Sequence, residues 1–156
     1  MKMNFGEYKV EIDIERTSAF YQTAAIVTEG CKCQGCRNYE AAAKQLDGTI
    51  REFFQKMGVD IRKPAEIYVN CRNEDGTLFY GGFYHVCGTI LQGGSTWKQP
   101  GESEKEPTPC YQVTEDFQVS FENRIHLLEK GFPEPVIQLE IYGNVPWVLD
   151  ETCEFQ

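Results

Sequence analysis

Apolar and polar residues alternate strictly at positions 8–14, where Tyr8, Val10, Ile12 and Ile14 interleave with Lys9, Glu11 and Asp13. That period of two predicts a strand with one wet face. The run at 19–28, from Ala19 to Thr28, predicts a second strand that enters a cysteine-rich stretch through Glu29-Gly30. The period then changes. Tyr39, Ala42, Ala43, Leu46, Ile50, Phe53, Phe54 and Met57 recur at steps of three and four, the apolar stripe of a helix over about residues 38–57. Asn38 suits its N-cap and Gly58 its C-cap. Asp47-Gly48 is a weak point inside it, since glycine costs about 1 kcal/mol relative to alanine in a helix. The stripe keeps phase across this point, as one helix or two nearly collinear ones.

Residues 66–72 and 77–91 predict a hairpin around Asn73-Glu74-Asp75-Gly76. A two-residue turn there puts Cys71 on the face of Val69 and Tyr80, with His85 and Cys87 on the other. A three-residue turn shifts the register and brings Cys71 to the face of His85 and Cys87. Residues 93–109 read as a long polar loop with three prolines. Strands resume at 111–114 and 117–122, and 136–142 alternates Ile137, Leu139 and Ile141 against polar neighbours. Between them, 123–131 is a short helix or an irregular crossing. Val145-Pro146-Trp147-Val148-Leu149 then brings an aromatic to the edge of the core. The sum is an α+β fold, a mostly antiparallel sheet with one major helix packed on it, in a single domain spanning 1–156.

Composition fits that picture. The 156 residues are 41% hydrophobic and 13% aromatic, enough for one packed core. The net charge of −9 argues against nucleic acid or anionic membrane as partner, because both need excess Lys and Arg. Charge is unevenly placed. Residues 31–63 hold seven Lys/Arg against four Asp/Glu, and residues 93–156 hold four against twelve. These are two solvated faces of opposite sign. Alternatively, the first depresses nearby thiol pKa values and the second meets a basic protein partner. The N-terminal residues lack the apolar core of a signal peptide, and no stretch reaches the ~20 apolar residues of a membrane span. A cytoplasmic protein is expected, whose seven cysteines are free, metal-bound or redox-active rather than paired.

Three of those cysteines fall within six positions: Cys31-Lys32-Cys33-Gln34-Gly35-Cys36. Cys33-x-x-Cys36 has the spacing of a zinc knuckle, and Cys31 offers a third thiolate. A tetrahedral site needs a fourth ligand. The candidates are Cys71, His85, Cys87, Cys110 and Cys153. His85-x-Cys87 is the most attractive, since residues two apart on a strand project together. The spacing matches neither common ferredoxin pattern. A redox reading uses Cys33 and Cys36 as a dithiol at a helix N-terminus, flanked by Lys32 and Arg37. A third reading has the cysteines simply filling a loop-to-helix junction as small apolar residues.

Other chemistries find no support. A cysteine nucleophile wants a histidine and an orienting acid or amide. Only His85 and His126 exist. His85 sits among apolar neighbours, and His126 reads as a helix-face residue. No Gly-rich phosphate loop and no His-Glu-x-x-His occurs. Acidic residues follow strand alternation, the pattern of a solvated face, so no acid–base pair stands out. Phe79, Tyr80, Phe83 and Tyr84 are either core and cross-strand aromatics or the lining of a ligand pocket.

Cys-x-Cys-x-x-Cys-Arg-Asn followed by a Tyr/Ala-rich helix resembles the motif of an uncharacterised family of small bacterial proteins. The chain is also similar to that family at Gly58–Glu66, at Tyr80–Gly88 and at Val145–Leu149. The resemblance implies that the cysteine motif and the hairpin around Tyr84-His85 share one domain. It brings no assigned activity and no catalytic residues. The resulting expectation is a non-catalytic protein. Cys31, Cys33 and Cys36 hold zinc, completed by Cys87, His85 or Cys71, and the ion braces a strand-to-helix junction. The acidic half meets a protein partner. The alternatives are a metal-free inhibitor resembling an immunity protein and a thiol redox protein.

Overall fold

A computed structural model describes residues 1–93 and 110–156. The loop expected at 93–109 lies, apart from Gly93, outside the described residues. The chain order is β1 (Lys2–Phe5), β2 (Tyr8–Ile12), α1 (Ile14–Thr23), α2 (Val27–Gly30), α3 (Gln34–Ala43), α4 (Gly48–Met57), β3 (Glu66–Arg72), β4 (Leu78–Gln92), β5 (Tyr111–Thr114), β6 (Phe117–Glu122) and β7 (Val136–Val145). All strand pairings are antiparallel. The sheet runs β1-β2-β4-β7-β6-β5, with β3 also paired to β4. This is the expected α+β fold, dominated by its sheet.

The long central strand β4 organises the molecule. Its even-numbered side chains face the helices: the Tyr84 ring meets Phe54 of α4 edge-on at 5.0 Å, and the Tyr80 ring lies 5.3 Å from Tyr39 of α3. Both tyrosines are fully buried, so the core reading of these aromatics holds. The sheet curls enough for Phe5 of β1 to stack on Phe121 of β6 at 5.8 Å. Phe53 of α4 closes the same cluster at 5.1 Å from Phe5.

Along one edge, β4 pairs with β3 through Leu78–Phe83 and with β2 through Gly88–Gln92. The stretch between them has no strand beside it there. Helix α1 fills the gap with side chains. Tyr21 Oη donates to His85 O (2.7 Å) and accepts from His85 N–H (3.2 Å). Thr17 Oγ1 accepts from Cys87 N–H (3.1 Å). Buried backbone groups are thereby satisfied without a strand.

Several sequence-based expectations change. Residues 19–28 form no strand. Asp13 caps α1 by accepting from Arg16 N–H (3.0 Å), and Thr17 and Tyr21 then repeat at helical spacing on the buried face. The single helix over 38–57 is two. Its first half begins at Gln34 with Cys33 as N-cap, and Asp47 recaps the chain for α4 by accepting from Thr49 N–H (2.8 Å). Local capping thus outweighs the continuous stripe. Gly58 is the expected C-cap, left-handed at φ 81°. Asn38 lies inside α3 rather than at its start. Residues 123–131 form an irregular crossing with no helix, and a strand at Lys2–Phe5 was not anticipated.

The hairpin turn has three residues, Glu74-Asp75-Gly76. Asn73 N–H donates to Thr77 O (2.8 Å) and Gly76, at φ 89°, donates to Asn73 O (3.0 Å). Cys71 therefore opposes Phe79, and a bulge at Asn70 returns Val69 opposite Tyr80. Cys71 shares the face of His85 but sits six residues farther along β4, roughly 20 Å at strand rise.

Candidate metal centre

Cys31 ends α2, its N–H donating to Val27 O (3.1 Å), and Cys33 begins α3. The loop is therefore a helix-to-helix turn, not the expected strand-to-helix junction. With only Lys32 between two helix ends, both thiols are forced toward the first turn of α3. Cys33 Sγ accepts from the backbone N–H of Cys36 (3.4 Å), and Cys31 Sγ donates to Cys33 Sγ (3.3 Å). The sulfurs of Cys31, Cys33 and Cys36 all lie within 4.8 Å of one another. Cys31 and Cys33 are exposed, and Cys36 is buried.

The thiols are not equivalent. Hydrogen bonding with the Cys36 thiol first, then with the backbone and thiol of Cys33, holds Cys31 below the ordinary thiol range. Burial pushes Cys36 strongly up, and the neighbouring sulfurs add to the shift. Three soft donors around one point, one already receiving a backbone N–H at a helix N-terminus, can hold a thiophilic metal ion.

The surroundings fix this turn firmly. Tyr80 Oη donates to Gly35 O (2.6 Å). Asn38, fully buried, donates through Nδ2 to Pro146 O (3.0 Å) and Tyr80 Oη (3.3 Å), and accepts from Val148 N–H (2.8 Å). Arg37 pairs with Glu151 through its two terminal nitrogens, Nη1 and Nη2 (3.0 and 2.8 Å), and donates through Nε to Lys32 O (3.0 Å). Trp147 donates to Glu151 O (2.9 Å) and packs against the core edge, as its sequence position suggested. Asn38, Pro146, Val148 and Glu151 are parts of the site's setting that sequence reasoning missed. A polar Asn on the apolar stripe was the available signal.

His85 and Cys87 are not in the thiol group. Strand alternation turns them away from α3, and His85 packs between Phe83 and Phe132 at ring distances of 5.8 and 5.9 Å. Its Nε2 faces Gln138 Oε1 (3.3 Å), and burial lowers its pKa. Cys87 is buried. Cys71 is exposed on β3, and Cys110 donates to Gln118 Oε1 (3.6 Å). Cys31 and Cys36 line a cavity of about 490 Å³ together with Tyr21, Ile26, Ile67 and His85.

The basic stretch is largely committed to local contacts. Arg62 pairs with Asp60 (2.9 Å), Arg51 Nε donates to Leu46 O (2.9 Å), and Lys63 donates to Tyr21 O. The cations adjoining the thiols are Lys32 and Arg37. Among the described residues, no helix is long and apolar enough to cross a membrane. No family model, curated protein or solved structure matches the chain.

Proposed function

We propose that this is a non-catalytic cytoplasmic protein whose Cys31/Cys33/Cys36 turn holds one zinc ion that braces the α2–α3 junction. The single observation behind this reading is the convergence of three sulfurs within 4.8 Å on a turn only six residues long. Unmetallated thiolates at that distance repel, and a dication removes the repulsion. Zinc is favoured because the donors are all sulfur and zinc accepts tetrahedral thiolate sets. The acidic C-terminal half, net −8 over residues 93–156, then serves a basic protein partner. Membership of the bacterial family carrying the Cys-x-Cys-x-x-Cys-Arg-Asn motif belongs to the same proposal.

The test is metal analysis of protein purified without chelators or metal resins. One zinc per chain, lost when all three cysteines become serine, is the expected result. Absence of stoichiometric metal from the unmodified protein overturns the reading. Pull-down with the triple-serine variant separates it from the metal-free inhibitor, which keeps its partner without the thiols.

A dithiol reading draws on a different observation. Exposed Cys31 has a lowered pKa beside buried Cys36 with a raised one, the asymmetry of an attacking and a resolving thiol. In that scheme a Cys31 thiolate attacks a substrate disulfide and releases one thiolate. A second cysteine of the turn then displaces the other, leaving an internal disulfide. Titration in glutathione buffers that shows no reversible two-electron couple removes it.

A further inference from the structure

We infer that Cys153 supplies the fourth thiolate of the metal centre, so that zinc locks the C-terminal segment 150–156 onto the start of α3. The inference rests on the zinc reading of the turn. Three sulfurs leave one tetrahedral position, and a structural zinc site is normally closed by a fourth protein ligand.

Cys153 is held at the turn by hydrogen bonds on both sides. Gln34, the residue after Cys33, donates through Nε2 to Thr152 O (3.0 Å) and Glu151 Oε1 (2.9 Å). Its Oε1 accepts from Glu154 N–H (2.8 Å). The residues immediately before and after Cys153 are thus bound to the middle of the cysteine motif. The Arg37–Glu151 ion pair anchors the segment a second time. The tail also borders the motif at Gly35, where a Cβ would lie 3.1 Å from Val69 Cγ2 and in ordinary contact with the Phe155 ring (3.5 Å) and Cys33 Sγ (3.8 Å).

Cys153 Sγ lies outside the three-sulfur group and makes a long contact to Phe155 O (3.8 Å). In the metal-bound form that contact gives way to a metal–sulfur bond, with the Cys153 side chain turned toward the three sulfurs. The other cysteines have no such connection: Cys71, Cys87 and Cys110 belong to strands or strand ends with no hydrogen bond to the motif among the described residues. The step balances as four thiols plus Zn²⁺ giving a tetrathiolate complex of charge −2 and four protons. Lys32 and Arg37 adjoin that charge.

Cobalt(II) titration of the full chain reads the ligand set directly. Wild type should give a tetrahedral spectrum with four-thiolate charge-transfer intensity. Cys153→Ser should lose about a quarter of that intensity and bind zinc at least about tenfold more weakly. Cys71→Ser and Cys110→Ser should match wild type. Independently of any variant, amide exchange at 150–156 in the wild-type protein should slow when zinc is added. The inference is overturned if Cys153→Ser keeps the wild-type spectrum and affinity, or if tail exchange ignores zinc, while the three-cysteine site still binds. A spectrum lost instead on changing Cys71 or Cys110 also overturns it. Failure of wild type to bind any metal overturns the underlying zinc reading as well, and is distinguished by that absence.

Discussion

Replacing Asn38 by alanine tests whether one buried amide holds the cysteine turn against the C-terminal segment. The side chain makes three hydrogen bonds, to Pro146 O, Tyr80 Oη and Val148 N–H. At a net value of about 1 kcal/mol each, their loss costs about 3 kcal/mol. With a urea slope of about 2 kcal/mol/M, the unfolding midpoint should fall by about 1.5 M at constant metal concentration. A fall under about 0.25 M matches an ordinary surface substitution and would refute the argument. Asn38→Asp sharpens the test. It keeps an acceptor for Val148 N–H, loses both donors and buries a carboxylate. Burial raises a carboxyl pKa, so the folded state binds the proton more tightly than the unfolded one. The variant should therefore be least stable near neutral pH and regain stability as pH falls, opposite to the trend of a salt-bridged acid.

Tyr21→Phe removes both hydrogen bonds to the His85 backbone and should cost about 2–4 kcal/mol, with faster amide exchange at His85 as the local signature. Burial depresses the His85 pKa, so the unfolded chain takes up a proton that the folded chain resists. Its contribution to stability is flat above the ordinary histidine pKa of about 6.5 and falls as pH drops below it; His85→Gln should flatten that part of the urea-midpoint profile, and identical slopes would contradict the assignment. Zinc at about 100 times its dissociation constant should stabilise wild type by about 2.7 kcal/mol, read as a chelator-reversible rise in melting temperature. Cys33→Ser should show no such rise, having lost a ligand and the sulfur that receives Cys36 N–H.

Strand alternation was legible at Tyr8–Ile12, and at Phe117–Glu122 and Val136–Val145 it marked the core face correctly although Ser120, Glu122 and Gln138 on the opposite face are buried rather than wet. It was illegible at 19–28, where a run of small and aromatic residues suits strand or helix, and the Asp13 cap decides. The break between α3 and α4 was visible as Asp47-Gly48, but apolar phase hides a turn that happens to preserve it. For the site, local spacing sufficed to group Cys31, Cys33 and Cys36, because six residues of chain cannot separate them far. The wider setting was out of reach. Gln34 and Arg37 meet Glu151 across more than a hundred residues, and polar pairings at that separation leave no periodic trace. The preference for His85 and Cys87 followed strand geometry correctly in pairing them on one face. It lacked the knowledge that the helices pack on the other face.

The unpaired stretch of β4 carries a consequence for solubility. A strand with open N–H and C=O groups is a template for a strand from another molecule. Here the template is occupied by Tyr21 and Thr17, side chains of a helix that itself has no free edge to extend the sheet. Helix α1 thus acts as a stopper against intermolecular strand addition. Any event that loosens α1 uncovers the central strand of the sheet rather than a peripheral one, and aggregation by β-pairing would begin at the middle of the fold.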